Sequence, residues 1–209
     1  MHTQYVTFSN LILSMEWHKP MPIILVGGSP GTGKTRVAKI LGSKMSVEVI
    51  ALGQLADDSG CISREDKIRK TGVINEDCLV DALVELTSDK SKSFIIEGHY
   101  IDLVPSSAVQ WVFILRTHPD TLKQRLSERD YSTEKVNENV EAEVFGVCQM
   151  DALDSFGEAK VHEVDTSELS APETVEKIEA LMKEKPDPTR IDWMTLLEEE
   201  GRLDEFVSD

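Results

Sequence analysis

The feature that most limits what this chain can fold into is the stretch Gly28-Ser29-Pro30-Gly31-Thr32-Gly33-Lys34-Thr35, which fits the pattern G-x-x-x-x-G-K-[ST]. Glycines at this spacing let the backbone curl so that successive N–H groups point into one concavity and receive anionic oxygens. A helix that starts where the loop ends adds the positive end of its dipole to the same place. In this pattern Lys34 reaches the β- and γ-phosphates of ATP, and the Thr35 hydroxyl faces Mg²⁺. The pattern has meaning only between a strand and a helix, and the sequence supplies both. Pro22–Val26 is a continuous apolar run, of the kind that is buried on both faces of a parallel sheet. From Lys34 to about Met45, Val37, Ile40 and Leu41 fall on one helical face.

The same alternation continues along the chain. Val47–Leu52, Phe94–Glu97, Val109–Leu115 and Val161–Val164 are further strand-like runs. Helical patterns begin at Asn75-Glu76-Asp77 and span Pro119–Glu128, about Thr133 to Phe156 as one long helix, and Ala171–Lys185. Five apolar strands separated by helices predict an α/β fold of the P-loop NTPase type, with a five-stranded parallel sheet and helices on both faces. Two polar interruptions are expected to form an acceptor-binding insertion and a lid. One runs from Gly60 to Gly72 and carries Arg64, Lys67, Arg69 and Lys70; the other runs from Arg129 to Lys135. Insertions of this kind lie over the carboxyl ends of the strands, where ligands of open α/β sheets bind.

Composition narrows the partners. The chain of 209 residues carries a formal net charge of −16. That argues against direct binding of duplex nucleic acid, which needs a surface excess of Lys and Arg, and favours a basic protein partner. A chain of this length buries a core without disulfides or a structural metal. Cys61, Cys78 and Cys148 form no C-x-x-C pair and are read as separate, buried small side chains, as expected in a reducing compartment. No apolar run approaches the roughly 18 residues of a membrane span, so a cytoplasmic location (or a nuclear one in a eukaryote) is expected. The expected organisation is an extension at residues 1–20, a kinase domain at 21–185, and a tail at 186–209. The tail has eight acids against two arginines, with Ile191, Met194 and Leu197 at three-residue spacing. It reads equally as a segment docked on its own domain or as a partner-binding helix.

Several polar residues are candidates for the chemistry around the loop. Glu97 closes an apolar strand, where an acid reaches a phosphate-bound Mg²⁺ through water. His99, two residues on, is placed to orient a water or a phosphate. Arg125 and Arg129, four apart, are expected on one face of a helix, as candidates to neutralise charge on a transferring phosphoryl group. Arg64 and Arg69, with Arg36 inside the first helix, are candidates to grip an acceptor phosphate. A phosphotransferase with two substrates needs both an acceptor site and a closing lid, because exclusion of water lets transfer outrun hydrolysis.

These stretches carry a resemblance. Gly28–Thr35 (GSPGTGKT), Ile95–Tyr100 (IIEGHY), Val112–Pro119 (VFILRTHP), Arg125–Tyr131 (RLSERDY) and Lys135–Glu143 (KVNENVEAE), continued by Gly146-Val147-Cys148 and Asp165-Thr166, resemble the adenylate kinase isoenzyme 6 family from about Pro22 to Lys185. The resemblance implies a P-loop nucleoside monophosphate kinase fold, with Mg·ATP as donor, AMP as favoured acceptor, ADP as product and a slow ATPase. It further implies small ribosomal subunit maturation and association with a basic platform protein of that subunit. By motif, Lys34 and Thr35 take the phosphate-loop roles, Glu97 and His99 fall on the family's acid-x-His strand end, and Arg125 and Arg129 fall on its lid arginines. The sequence departs from the family at Asp130, where Gly is usual, and at Cys78, where Arg is frequent. Two other functions fit the same residues: an ATP-driven assembly factor whose kinase turnover is secondary, and a small-metabolite kinase.

Overall fold

The computed structural model describes residues 23–66, 71–129, 131–184 and 186–207. Residues 1–20, Lys67, Arg69, Lys70 and Asp130 lie outside them, so the expectations placed on those positions are not addressed by the structure.

Five parallel strands make the central sheet, in the order β2-β5-β1-β6-β7. They are β1 (Ile23–Gly27), β2 (Glu48–Ala51), β5 (Phe94–Glu97), β6 (Val109–Arg116) and β7 (Val161–Asp165). The apolar runs are continuous because both faces are covered. Ile23 and Leu25 of β1, Phe94 and Ile96 of β5, and Val112 and Ile114 of β6 enter one core with Leu52, Leu79, Leu83 and Phe156. The alternate residues Ile24, Val26, Ile95, Phe113 and Leu115 enter a second core with Val37, Leu41, Val175 and Ile178. Burying one such side chain contributes about 1.5–3 kcal/mol, so the two-sided pattern fixes strand register strongly. The first core packs under α2 (Leu52–Asp58), α3 (Glu76–Ser88) and α6 (Val147–Phe156); the second packs under α1 (Lys34–Met45) and α7 (Ala171–Glu184). The Asn75 side chain caps α3 by accepting from the Cys78 N–H at 3.2 Å.

Four expectations need correction. Between the apolar run ending at Leu52 and the polar stretch Gly60–Gly72 lies a helix that the sequence pattern did not suggest, α2, and the polar stretch belongs to an antiparallel hairpin of β3 (Ile62–Asp66) and β4 (Thr71–Ile74). The long helix expected from Thr133 to Phe156 is two helices, α5 (Thr133–Val144) and α6, broken at Gly146. Gly146 sits at φ +66, and a Cβ there would lie 2.6 Å from Gln149 Oε1 and 3.5 Å from the Arg116 guanidinium. The amphipathic pattern runs through the break and hides it. Helix α4 (Pro119–Ser127) ends before Arg129, so Arg125 and Arg129 do not share a helical face.

The fourth correction concerns the cysteines. Cys61 and Cys78 are joined in a disulfide, and Cys148 is the free thiol. The bond ties the start of the hairpin to the first turn of α3, and it occupies the position, Cys78, at which the resemblance leads one to expect an arginine. Nothing in a 17-residue spacing announces such a pair.

The tail is docked. Helix α8 (Trp193–Glu199) buries Trp193 and Leu197, and Phe206 follows; Leu197 and Phe206 form a third core with Leu122 and Leu126 of α4 and Val136 and Val140 of α5. The Arg202 guanidinium, paired with Asp120 at 2.9 Å, ties the tail to the start of α4. Among the described residues no helix is long and apolar enough to cross a membrane.

The disulfide makes a direct prediction. Under denaturing, non-reducing conditions the thiol count should be one per chain, rising to three after reduction. Reduction should lower the folding free energy by about 3 kcal/mol, the loop-closure value for a loop of this size. Three thiols without reductant would contradict the pairing.

Candidate active site

The phosphate loop leaves the carboxyl end of β1, which lies between β5 and β6 at the centre of the sheet. Gly28 has φ +135, and a Cβ there would lie 2.4 Å from the Leu115 carbonyl oxygen, so only glycine fits this turn. The Ser29 carbonyl accepts from Lys34 Nζ at 2.9 Å and from Thr32 Oγ1 at 2.9 Å, which pulls both side chains into the loop. Gly33 then turns at φ 97 and α1 begins at Lys34. Lys34 is 8% exposed. Burial pushes its ammonium below the ordinary lysine range, while Cys148, Glu97 and Glu143 act in the opposite direction.

Glu97 stands at the end of β5, in register with Val26 of β1 and Ala51 of β2. Its Oε1 accepts from Thr35 Oγ1 at 2.9 Å. These two oxygens form the hard-donor edge that Mg²⁺ accepts, a cation that keeps several waters and draws its remaining ligands from phosphates. Among the described residues no three or more His, Cys, Asp or Glu side chains are placed to hold a metal ion together. An ion here would therefore rest on Thr35, Glu97, water and the nucleotide.

His99 follows on the same strand end, its ring 4.5 Å from that of Tyr100. It keeps an exposed edge, yet the protein packed around it and the nearby Lys34 ammonium push its imidazole down to about 4. It is therefore neutral at pH 7 and has a lone pair available to accept a hydrogen bond.

The structure separates the arginines. Arg125 Nη2 donates to the carbonyls of Thr166 at 2.8 Å and Ser167 at 3.1 Å, bracing the loop that follows β7. Together with Arg36, Gly31, Gly33 and Ala171 it lines a cleft of about 240 Å³ beside the phosphate loop. Arg36 is thus on this cleft and not at the hairpin. Arg129 is exposed past the end of α4, 6.0 Å from the Tyr131 ring, which Lys135 Nζ also faces at 4.4 Å. For Arg64 the structure describes only its backbone pairing opposite Val73 in the hairpin.

A buried polar network went unseen in the sequence. Arg116, at the end of β6, donates from Nε to Glu143 Oε1 at 2.8 Å and from Nη1 to Glu163 Oε2 at 3.2 Å; all three are almost fully buried. Gln149 also accepts from Arg116. Glu143 reaches the phosphate loop itself, accepting from Ser29 Oγ at 2.6 Å. Burial pushes the Glu163 carboxyl up, against the pull of the Ile191 N–H, Arg116 and Arg190. Arg116 and Glu143 fall within stretches that carry the resemblance, yet nothing in their spacing showed that they meet, and Glu163 lies in the middle of β7 with no signal of its own.

A family model described as an AAA domain matches residues 24–146. A protein of Pyrococcus abyssi named "Putative adenylate kinase" is 34% identical over 181 residues, covering 85% of this chain and 94% of its own. A protein of the same name from Methanothermobacter thermautotrophicus is 38% identical over 160 residues, covering 77% and 89%. The chain belongs to this adenylate kinase-like family. Among solved structures, a shikimate kinase from Acinetobacter baumannii aligns with a TM-score of 0.54 at 19% identity, covering 80% of this chain and 96% of that one. A likeness at that identity speaks for the fold: a P-loop kinase architecture with a five-stranded parallel sheet.

Two predictions follow from the site. Lys34→Ala should lower nucleotide-dependent turnover by about 10²–10³-fold, the loss typical of one preorganised electrostatic donor; steady-state ADP release measures it, and wild-type turnover would contradict the assignment. The second concerns pH. His99 has a folded pKa of about 4, below the ordinary 6.5. The unfolded chain therefore binds the proton more readily, and stability falls as pH drops from about 6.5 towards 4. His99→Gln should flatten that part of the stability profile in denaturant titrations, and an unchanged slope would contradict the shift.

Proposed function

We propose that the protein transfers the γ-phosphoryl group of Mg·ATP to a nucleoside monophosphate, with AMP as the favoured acceptor and ADP as the product. The observation that carries this reading is the phosphate loop with Lys34 drawn into it and Thr35 hydrogen-bonded to Glu97, in a chain that covers most of the length of relatives named "Putative adenylate kinase". In this mechanism the backbone N–H groups of Gly31–Thr35 hold the phosphate oxygens and Lys34 neutralises charge on the group in transfer. Mg²⁺ held by Thr35 and, through water, by Glu97 would withdraw charge from the phosphate oxygens. The cleft beside Arg125 and Arg36 suits the donor's nucleoside, since it opens from the loop along α1. Arg129, exposed on a short loop next to Tyr131, is free to swing toward the phosphates when the acceptor is bound. The acceptor itself would be gripped from the hairpin side, where Arg64 and Arg69 lie in sequence.

A second activity, ATP hydrolysis coupled to ribosome assembly, is favoured by one observation. His99 follows Glu97 by two residues at the same strand end, where a group that orients an attacking water should stand. The net charge of −16 suits a basic ribosomal protein as the stimulating partner. Leu197, Leu203, Phe206 and Val207 of the tail are packed on its own domain while Met194 stays exposed, so partner capture would fall mainly to its charged surface.

The distinguishing experiment measures ADP release with ATP alone, then with AMP, CMP, GMP or a basic ribosomal protein added. AMP should raise ADP release at least about tenfold over ATP alone, as expected when closure excludes water. Stimulation by the protein and by no nucleotide would replace the kinase reading with the ATPase one.

A further inference from the structure

Glu143 lies in the last turn of α5 and is 1% exposed. Its carboxylate takes four hydrogen bonds from three parts of the chain. Oε2 accepts from Ser29 Oγ at 2.6 Å in the phosphate loop. Oε1 accepts from Arg116 Nε at 2.8 Å, from the Thr117 N–H at 3.0 Å and from Trp193 Nε1 of the docked tail at 3.3 Å. Its backbone carbonyl accepts from Arg116 Nη2 at 2.8 Å. The tail grips the same network again, because the Ile191 carbonyl accepts from Arg116 and the Ile191 N–H donates to Glu163 Oε2 at 2.9 Å.

Ser29 is the hinge of this arrangement. Its hydroxyl is held by Glu143 while its carbonyl holds Lys34 and Thr32. The Cys148 thiol lies against the same hydroxyl. With Ser29 tied down at both groups, the peptide planes that follow it are aimed before any phosphate arrives, and a preorganised anion site loses less entropy on binding. A surface role for Glu143 would need none of this, and a purely structural role would need Arg116 but not Ser29.

We infer that Glu143 is a positioning residue for the nucleotide site, acting on the phosphate loop through Ser29, and that the docked carboxyl-terminal segment completes its cage through Trp193. The inference rests on the nucleotide-binding half of the proposed function and not on the identity of the acceptor. The tail is thereby part of the active-site architecture, although its closest polar contact with the loop passes through Glu143.

The test uses the full chain, Mg²⁺ and a non-hydrolysable ATP analogue, with affinity read by calorimetry and stability by thermal melting. Ser29→Ala and Glu143→Gln should each weaken the analogue by about tenfold, the scale of one hydrogen bond to a charged group. The double variant should bind no more weakly than the weaker single variant, while Glu143→Gln still lowers the melting temperature in the Ser29→Ala background, because Arg116 loses its counter-charge there as well. Trp193→Phe should weaken binding in the same direction, and this effect should vanish once Ser29 is Ala. If Glu143→Gln does not fold, the Ser29→Ala and Trp193→Phe pair decides the matter. Wild-type affinity in Ser29→Ala, or independent multiplicative losses in the double variants, would overturn the inference and leave Glu143 a structural residue. Failure of the wild-type protein to bind the analogue would instead overturn the nucleotide reading beneath it.

Discussion

An ammonium group held nearly out of water at the edge of a parallel sheet is the constraint on which this molecule is organised. Lys34 is buried, hydrogen-bonded to the Ser29 carbonyl, and has Glu97 and Glu143 near enough to offset part of the cost of desolvating it. Burying a charge in this way is costly without compensation. The surrounding chain supplies the compensation from the ends of the three central strands. β1 leads into the loop, β5 contributes Glu97, and the end of β6 holds Glu143 in place through Arg116 and the Thr117 N–H. The topology that puts β1 between β5 and β6 is therefore what makes the site possible, because it converges three strand ends on one loop.

Behind the loop the protein keeps a second charged layer. Arg116 is paired with Glu143 and Glu163, and among the described residues no buried side-chain polar atom is left without a partner. A buried ion pair is weak evidence for stability, since apolar replacements are often as good, but breaking one member costs about 3–5 kcal/mol. Its place here is more informative than its energy. The pair joins the phosphate loop, the break between α5 and α6, the last strand and the docked tail, so four segments distant in sequence share one set of hydrogen bonds. The break at Gly146 belongs to the same arrangement, since a Cβ at that residue would press on Gln149 and approach the Arg116 guanidinium.

What the sequence made legible was local, and what it hid was distant. The phosphate loop, the five apolar strands and the acid at the end of β5 are each contained in a few adjacent residues, so their chemistry can be read from spacing alone. The Arg116–Glu143 pair is separated by 27 residues and Arg116–Glu163 by 47, and each charge alone resembles an ordinary surface residue. The Cys61–Cys78 bond matches no metal or redox spacing, and reading the cysteines one by one as separate thiols could not find it. Arg125 and Arg129 fell on one face only while the helix was extended past Ser127; the chain leaves the helix first, and the two guanidinium groups part company. Docking of the tail was an open alternative because an apolar stripe does not say which surface covers it. Only the complementary face made by α4 and α5 decides that.

The central claim is that a triphosphate sits in the curl that opens at Gly28, with Lys34 against its terminal phosphates. The most direct measurement is a crystal structure of the protein with Mg²⁺ and a non-hydrolysable ATP analogue. The account predicts phosphate oxygens within hydrogen-bonding distance of Lys34 Nζ and of the backbone N–H groups between Gly31 and Thr35, and the base lying toward Arg125. A triphosphate bound elsewhere on the molecule, with the loop empty, would contradict it.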